Sequence, residues 1–324
     1  MRRVLQAVGV VLALLAIGTA AVLARHALRT HDAERHWAER ADVRIGDFGT
    51  VDSLSVTVLS GPLPGANDEL LTEPGLSLLL RMDDRTWLYD LGLSAHPERS
   101  TVVHNASLLE IELGQVQTVF LSHRHRDHMG GVAAERSGVL KLPGDTDEKP
   151  MLIAPPEALD MPGAAVLEVH APAVLGEGIA SLGPIRRALF AGAVDEQAFV
   201  VDVQGYGLVA VVGCGHQTWQ RIDARTREVF GRPVRAVVGD LHFPVPHGRL
   251  QVAGIDAQRR LASGRGPFRP VQREDARAML AWARDSGVKL LLVGHDTHDS
   301  VLGEPSVRRL EVGQTVRLYG PKPH

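Results

Sequence analysis

The 324-residue sequence predicts an α+β fold of four layers, in which two mixed sheets pack face to face with helices on the outside. Two observations predict it. Paired β-rich runs come first after residue 43, and helix–strand units follow them, an order that suits packed mixed sheets. Residues able to bind metals also come directly after apolar runs, where loops can gather one site from distant parts of the chain. The 44% hydrophobic content is enough for one large domain or two modest ones.

The chain starts with an apolar segment. Residues 4–24 contain few polar side chains and follow the basic pair Arg2 and Arg3. About 20 apolar residues can span a bilayer, and a small-residue cleavage site at 22–24 would instead suit a signal peptide. In both cases the basic end stays cytoplasmic and the bulk of the protein is exported, either free or anchored at the extracytoplasmic face.

Three regions follow from this interpretation. We predict a signal peptide or membrane anchor at 1–24, a polar helical spacer at 25–42 and one folded domain at 43–324. The single cysteine, Cys214, excludes an intrachain disulfide and leaves the redox compartment open.

Turn-bounded apolar runs predict the strands of the domain. In chain order these are 53–60, 76–81, 86–89, 116–121, 196–203, 207–212, 234–238, 288–293 and 312–318. Helical patterns predict helices at 105–113, 216–230 and 274–285, each followed by a glycine within two residues. Residues 144–160 are rich in turn formers.

Residues 243–270 are rich in Pro, Gly and Arg and show no periodicity, which is long for a connection. We interpret this segment as a lid or substrate-binding loop, and the alternative is a disordered surface insert. Its arginines could hold an anionic group: Arg249, Arg259, Arg260, Arg265 and Arg269.

Four potential metal ligands lie within six residues, directly after the apolar run 116–121. They are His123, His125, Asp127 and His128. Imidazole and carboxylate groups suit zinc, and also iron or manganese. Alternate residues of an extended turn share a face, so the first two histidines can hold one ion, while the other two lie past the bend and can reach a second. A basic surface loop with incidental histidines does not explain this spacing.

The His-x-His-x-Asp-His spacing after a hydrophobic strand resembles the signature of the metallo-β-lactamase superfamily. The 87–92 segment, Trp-Leu-Tyr-Asp-Leu-Gly, resembles the strand-Asp-Thr-Gly element before that signature, with Leu91 in place of Thr. The resemblance implies the αββα metallo-β-lactamase sandwich and two divalent ions, with zinc preferred. It also implies that Asp90 supports the metal loop from behind.

Four later blocks resemble one branch, the 7,8-dihydropterin-6-methyl-4-(β-D-ribofuranosyl)-aminobenzene-5'-phosphate synthase-like proteins. They lie at 73–77, 195–198, 212–216 and 238–242, and the resemblance covers residues 51–318. The chain departs from that branch at several positions, which argues against carrying over its substrate. Pro74 replaces a His, Gly215 a Ser and Asp240 a Gly, and the closing His-Cys-Thr-Gly is replaced by His295-Asp296-Thr297-His298.

Further ligands are expected from these blocks. His216 follows a strand and opens a helix, so we expect it to be the third ligand of the first ion, and His295 matches the final ligand position. Asp240 is a candidate bridge between the ions. Cys214 lies where many relatives have a bridging Asp and could ligate instead, or it could be a buried structural thiol. His242 is a candidate for proton transfer on the substrate side.

The predicted activity is hydrolysis of an ester, thioester, lactone, lactam or phosphoester. Two ions lower the pKa of a bridging water, and Asp127 can both hold a metal and accept the proton of that water. The alternatives are a transferase or synthase like the resembling branch, and a non-catalytic metal-binding protein. We expect a small-molecule substrate, anionic if the arginines of 243–270 hold it. A net charge of −3 and 4% aromatics argue against nucleic acid as a partner, and an uncleaved N-terminal segment would make the membrane one.

Overall fold

A computed structural model describes residues 2–94, 100–142, 150–190, 192–263, 265 and 268–320. Two seven-stranded mixed sheets pack face to face and helices lie on their outer faces. The predicted four-layer α+β architecture, with a long apolar helix before it, is therefore confirmed.

The first sheet comes mainly from the N-terminal half. Its strands are β1 (Ser53–Ser60), β2 (Ser77–Met82), β3 (Arg85–Tyr89), β4 (Thr118–Phe120), β5 (Met151–Ala154), β6 (Val166–Glu168) and β16 (Thr315–Tyr319). The order is β16-β1-β2-β3-β4-β5-β6. The strands from β16 to β3 run antiparallel, and those from β3 to β6 run parallel.

The second sheet contains β7 (Ala173–Gly176), β8 (Ile179–Leu189), β9 (Gly192–Val203), β10 (Gly207–Val212), β11 (Val234–Gly239), β14 (Lys289–Leu292) and β15 (Val307–Arg309). The order is β15-β14-β11-β10-β9-β8-β7. The parallel strands β10, β11 and β14 end at the same edge of the sheet. The loops that follow them therefore lie close together, and these loops carry the candidate ligands.

The main core lies between the sheets. Side chains alternate across a strand, so Leu78 and Leu80 point into this core while Leu79 joins the cluster under the outer helices. Phe120 of the first sheet and Phe199 of the second meet here, with ring centroids 5.3 Å apart. Both rings are fully buried.

The helices are α1 (Arg2–Ala38), α2 (Thr101–Leu108), α3 (Val132–Ser137), α4 (Trp219–Phe230), α5 (Ala257–Leu261), α6 (Arg273–Ser286) and α7 (Asp299–Leu302), with a 3-10 turn at Leu113–Gln115. The apolar faces of α4 and α6 pack on the outer face of the second sheet. Helix α2 packs on the first sheet.

Three of the predicted elements differ from the structure. Helix α2 starts four residues earlier than predicted, because the Ser100 side chain accepts a hydrogen bond from the Val103 N–H and caps it. The predicted helix at 216–230 starts only at Trp219, since the residues before it form a ligand-bearing loop. The described part of the 243–270 segment is only partly irregular: it contains a hairpin of β12 (Gln251–Val252) and β13 (Ile255–Asp256), followed by α5.

Five strands of the two sheets, β5 to β8 and β15, were not predicted. β5 falls within the turn-rich 144–160 segment, of which residues 144–149 lie outside the described residues. The strands β6 and β7 are short and partly exposed, so they lack a clear apolar alternation.

Helix α1 continues without a break through the predicted boundary at residue 24. Its apolar part has a mean hydropathy of 2.5 over an 18-residue window and no buried residue there, so by length and composition it could cross a membrane. The polar part packs on β8. Asp32 pairs with Arg186 at 3.1 Å, and Glu34 pairs with Arg221. The segment expected to be a spacer therefore lies against the domain.

The packing of the core predicts that two phenylalanines contribute very differently to the free energy of unfolding. Phe199→Ala should lower the free energy of unfolding by about 3–5 kcal/mol, because it leaves a cavity between the sheets. The same change at Phe268, which is 78% exposed, should cost less than about 0.5 kcal/mol. Denaturant unfolding of the detergent-solubilised full chain measures both, and equal losses would contradict this packing.

Candidate metal centre

The loop after β4 carries the first four candidate ligands. His123 and His128 are fully buried, whereas His125 and Asp127 are partly exposed. His123 Nε2 lies 3.0 Å from His125 Nδ1. His128 Nε2 lies 3.2 Å from His295 Nε2, which the β14 loop contributes. The loop therefore directs its ring nitrogens toward two neighbouring points.

Within the described residues, three groups of side chains bring potential ligand atoms within 4.8 Å of one another. They are His123, His125, Cys214 and His216; then His128, Cys214 and His295; and lastly His216, His242 and Asp296. The first two groups share Cys214, whose sulfur lies 3.0 Å from His128 Nε2. The cysteine thus lies between the two points on which the histidines converge.

Asp90 fixes the orientation of two of these histidines. Its carboxylate accepts hydrogen bonds from the Ser122 N–H and hydroxyl, both at 2.7 Å, and from His128 Nδ1 at 2.6 Å. Because that hydroxyl donates to Asp90, it accepts from His123 Nδ1 at 2.8 Å. Both imidazoles consequently carry their protons on Nδ1 and present the Nε2 lone pair to the centre, the usual arrangement behind a metal ligand.

Glu196 and Gln197 connect the ligand loops. The buried Glu196 carboxylate accepts hydrogen bonds from the N–H groups of Gly215, at 2.9 Å, and His216, at 2.7 Å. The Gln197 amide donates to the Leu121 carbonyl at 2.9 Å, just before the first histidine loop. Burial raises the pKa of Glu196 to about 7. These adjacent strand residues thus set the position of the His216 loop relative to the first loop.

Gly215 has a steric reason to replace the serine of the resembling branch. Its φ is +82°, a left-handed conformation that favours glycine. A Cβ there would lie 2.5 Å from the Leu241 backbone. The loops after β10 and β11 can therefore approach closely only with glycine at this position.

Asp240 makes a different set of contacts from that expected of a bridging ligand. One carboxylate oxygen accepts from the Leu241 N–H at 2.7 Å and from the Thr297 hydroxyl, and the other accepts from the Asp296 N–H at 3.0 Å. It belongs to none of the three groups found among the described residues. Its observed contacts link the loops after β11 and β14, and its bridging role stays a prediction.

Two further pairs surround the centre. Asp127 lies 3.1 Å from His295 Nε2, and His242 Nδ1 lies 2.9 Å from Asp296. Burial alone would lower the pKa of His242, but Asp296 and Asp240 raise it above its usual value. Asp296 was not predicted as a site residue; the signal was its position directly after His295.

The electrostatics of the centre suit a cation. Burial holds the pKa of His123 and His216 well below the usual range, so both are neutral and can ligate. Both ring nitrogens of His216 and Nδ1 of His295 are buried without a hydrogen-bond partner. Burial opposes protonation of His295, yet Asp296 and Asp127 raise its pKa to about 10. The surplus of negative charge thus holds a proton that a metal ion could replace.

A cleft opens beside the third group. It is lined by His216 and His242 and also by Ala262, Ser263 and Arg265 of the 243–270 segment. Several arginines of this segment, however, form ion pairs or hydrogen bonds with other residues of the domain. Arg265 pairs with Asp275 at 2.8 Å, Arg249 pairs with Asp299, and Arg259 donates to the carbonyls of Val271 and Pro246.

The chain shows distant similarity to known proteins. No family model matches the sequence. The chain is 23% identical to 7,8-dihydropterin-6-methyl-4-(β-D-ribofuranosyl)-aminobenzene-5'-phosphate synthase of Methanocaldococcus jannaschii, in an alignment covering 66% of this chain and 86% of that protein. YhfI from Bacillus subtilis, a metallo-β-lactamase fold protein, is 16% identical over 82% of this chain and 99% of its own, with a TM-score of 0.49.

Among solved structures, Tm1679, a metal-dependent hydrolase of the β-lactamase superfamily, covers 82% of this chain and 99% of its own, with 18% identity and a TM-score of 0.55. The chain therefore has the metallo-β-lactamase fold, and the resemblance stated from the sequence is confirmed at the level of the fold.

Glu196 and Gln197 belonged to a resembling sequence block, yet the sequence alone did not indicate their roles. The available signal was the pair of polar residues at the start of a largely apolar predicted strand, because a buried carboxylate requires specific partners. The central position of Cys214 was left open for a related reason: a thiol packs in a core as readily as it ligates.

The contacts of Asp90 give a testable prediction. Asp90→Asn should weaken zinc binding about 10–100-fold, since the amide cannot hold His123 and His128 as the carboxylate does. Asp84→Asn, the same change at a turn residue with a 96% exposed side chain, should leave affinity unchanged. Competition with a chromophoric chelator measures both, and equal affinities for the two variants would contradict the role of Asp90.

Proposed function

We propose that the protein is a metal-dependent hydrolase that binds two divalent ions, with zinc preferred. The observation that carries the proposal is the pair of ligand groups that meet at Cys214. Three neutral imidazoles with a thiol, and two imidazoles with the same thiol, are donor sets that suit zinc. Asp127, next to His295, would complete the second set.

The ions would supply Lewis acidity, lowering the pKa of water toward neutrality and polarising the bond to be cleaved. The protein groups around them would orient the reactants. Buried Asp90 and Glu196 hold the ligand loops without lining the cleft, so their contribution is to fix geometry.

Asp127 would orient the attacking water molecule through its ionised carboxylate. Its side chain is 28% exposed, so it is open to solvent as well as to the centre. Burial alone would raise its pKa, but the hydrogen bond with His295 and the nearby histidines lower it well below the usual value. The carboxylate is therefore ionised at neutral pH and can orient a water molecule for attack.

His242 would supply a proton to the leaving group. It lines the cleft, its Nδ1 is held by Asp296, and its Nε2 is buried without a hydrogen-bond partner. Against the effect of burial, Asp296 and Asp240 raise the pKa of His242, which favours the protonated ring. Nε2 is then the atom from which that proton can pass to substrate.

The substrate class proposed is a small molecule with an ester, thioester, lactone, lactam or phosphoester bond. Transfer chemistry like that of the similar synthase is the second candidate, favoured by the 23% identity. The departures at Pro74, Gly215 and residues 295–298 argue against an identical substrate. We also propose that α1 anchors the protein with its domain on the extracytoplasmic side, supported by its unburied apolar part.

The test is a panel of these substrates with the zinc-loaded full chain. His242→Gln should lower kcat about 10²–10⁴-fold without loss of metal, because it removes a proton donor. The same change at His170, whose side chain is 68% exposed, should have no effect. Asp127→Asn should lower both turnover and metal content.

Two results would overturn the proposal. One is less than one bound metal per chain, and the other is turnover that Asp127→Asn and His242→Gln leave unchanged. Hydrolysis of no panel member, together with transfer activity on a dihydropterin acceptor, would favour the second candidate.

A further inference from the structure

The 243–270 segment exposes apolar side chains on a small ordered hairpin. Leu250, Val252 and Ile255 are 57%, 54% and 52% exposed, and all three lie in or beside the strands β12 and β13. Scattered exposed apolar residues are common on soluble proteins, but three on one hairpin form a patch. The surroundings of this hairpin indicate what covers the patch.

A chain of contacts links the hairpin to the point where the apolar part of α1 ends. His26, two residues after the apolar run 4–24, packs on Phe190 with ring centroids 5.8 Å apart. The Phe190 N–H donates to the Leu261 carbonyl at 2.8 Å. Leu261 is the last residue of α5, a helix only about 7 Å long that follows the hairpin directly.

The hairpin is fixed in this position. Asp256 accepts hydrogen bonds from the Gly248 N–H at 2.8 Å and from the Arg259 N–H at 2.9 Å, so the same carboxylate closes the hairpin and caps α5. The Arg249 N–H donates to the Gln258 side chain at 2.6 Å. These hydrogen bonds fix the hairpin to α5, so the patch lies near Phe190 and the end of the apolar run.

Basic side chains accompany the patch. Arg25 is exposed on α1 at the end of the apolar run, and Arg269 is exposed in the same segment as the hairpin. Arginines near a bilayer surface are attracted to anionic lipid headgroups. Apolar side chains with basic neighbours are the combination expected of a surface that lies in the interfacial layer.

The segment also lines the cleft beside the candidate metal centre. Ala262 and Ser263 follow α5 immediately and line the same cleft as His216 and His242. If the hairpin rests on the bilayer, the cleft opens next to the lipid surface.

We propose that the β12–β13 hairpin docks on the lipid bilayer beside α1, with Leu250, Val252 and Ile255 in the interfacial layer. The cleft then opens at the membrane surface and receives amphiphilic substrates from the lipid, a consequence that rests on the proposed hydrolase function. The docking itself rests on α1 as an uncleaved anchor.

Spin labels on the full chain test the docking. Ile255→Cys, carrying a nitroxide, is reconstituted in phosphatidylcholine–phosphatidylglycerol vesicles, and collisions with oxygen and with a water-soluble nickel complex are measured. Val174→Cys is the matched control: Val174 is a 51% exposed strand residue paired with Ala180, roughly 30 Å along β8 from Phe190. Unaltered protein, whose single cysteine is buried, gives the background.

We expect the label at 255 to be several-fold less accessible to the nickel complex, and more accessible to oxygen, than the label at 174. A label at Val252 should repeat the result, which guards against a local defect at position 255. Equal nickel accessibility at 255 and 174, or protein that fails to stay with the vesicles, would overturn the docking.

Metal content and turnover of a water-soluble panel substrate, measured on the same preparation, separate the two proposals. Shielded labels without turnover or bound metal would leave the docking standing and remove the hydrolase. Turnover with unshielded labels would do the reverse.

Discussion

The candidate centre depends on one buried carboxylate. Asp90 lies behind the first ligand loop and accepts hydrogen bonds from the Ser122 backbone, the Ser122 hydroxyl and His128. Without this buried acceptor, nothing would hold the proton of His123 and His128 on Nδ1, and nothing would orient their Nε2 lone pairs toward the centre. Charge also matters: an unpaired carboxylate with no exposed surface is costly, so Asp90 and the loop that satisfies it stabilise each other. Ligand geometry and local stability are therefore coupled.

The second sheet supplies the remaining candidate ligands. Strands β10, β11 and β14 end at one edge, and their loops supply Cys214 and His216, then Asp240 and His242, then His295 and Asp296. Three carboxylates hold these loops and their side chains in place through different hydrogen bonds. Glu196 holds the first of these loops by its backbone, Asp240 joins the second to the third, and Asp296 holds a ring nitrogen of His242.

Parts of this arrangement could be predicted from the sequence. The spacing of His123, His125, Asp127 and His128 after an apolar strand resembles a known family signature, and that resemblance predicted both the fold and the ligand loop. The edge strands β6 and β7 could not be predicted, since they are short and half exposed and lack the alternation of a buried strand. Contacts between the ligand loops could not be predicted from the sequence either. Whether Asp240 or Cys214 lies between the histidines depends on three-dimensional convergence, which spacing along the chain does not encode.

The proposed function depends on Cys214 as a ligand shared by two metal subsites. X-ray absorption at the zinc edge, combined with metal analysis of the full chain, tests it most directly. We expect two zinc ions per chain and sulfur scattering at about 2.3 Å. Cys214→Ser should remove the sulfur scattering while the nitrogen shell remains. A shell of nitrogen and oxygen alone, identical in the unaltered protein and in Cys214→Ser, would contradict it.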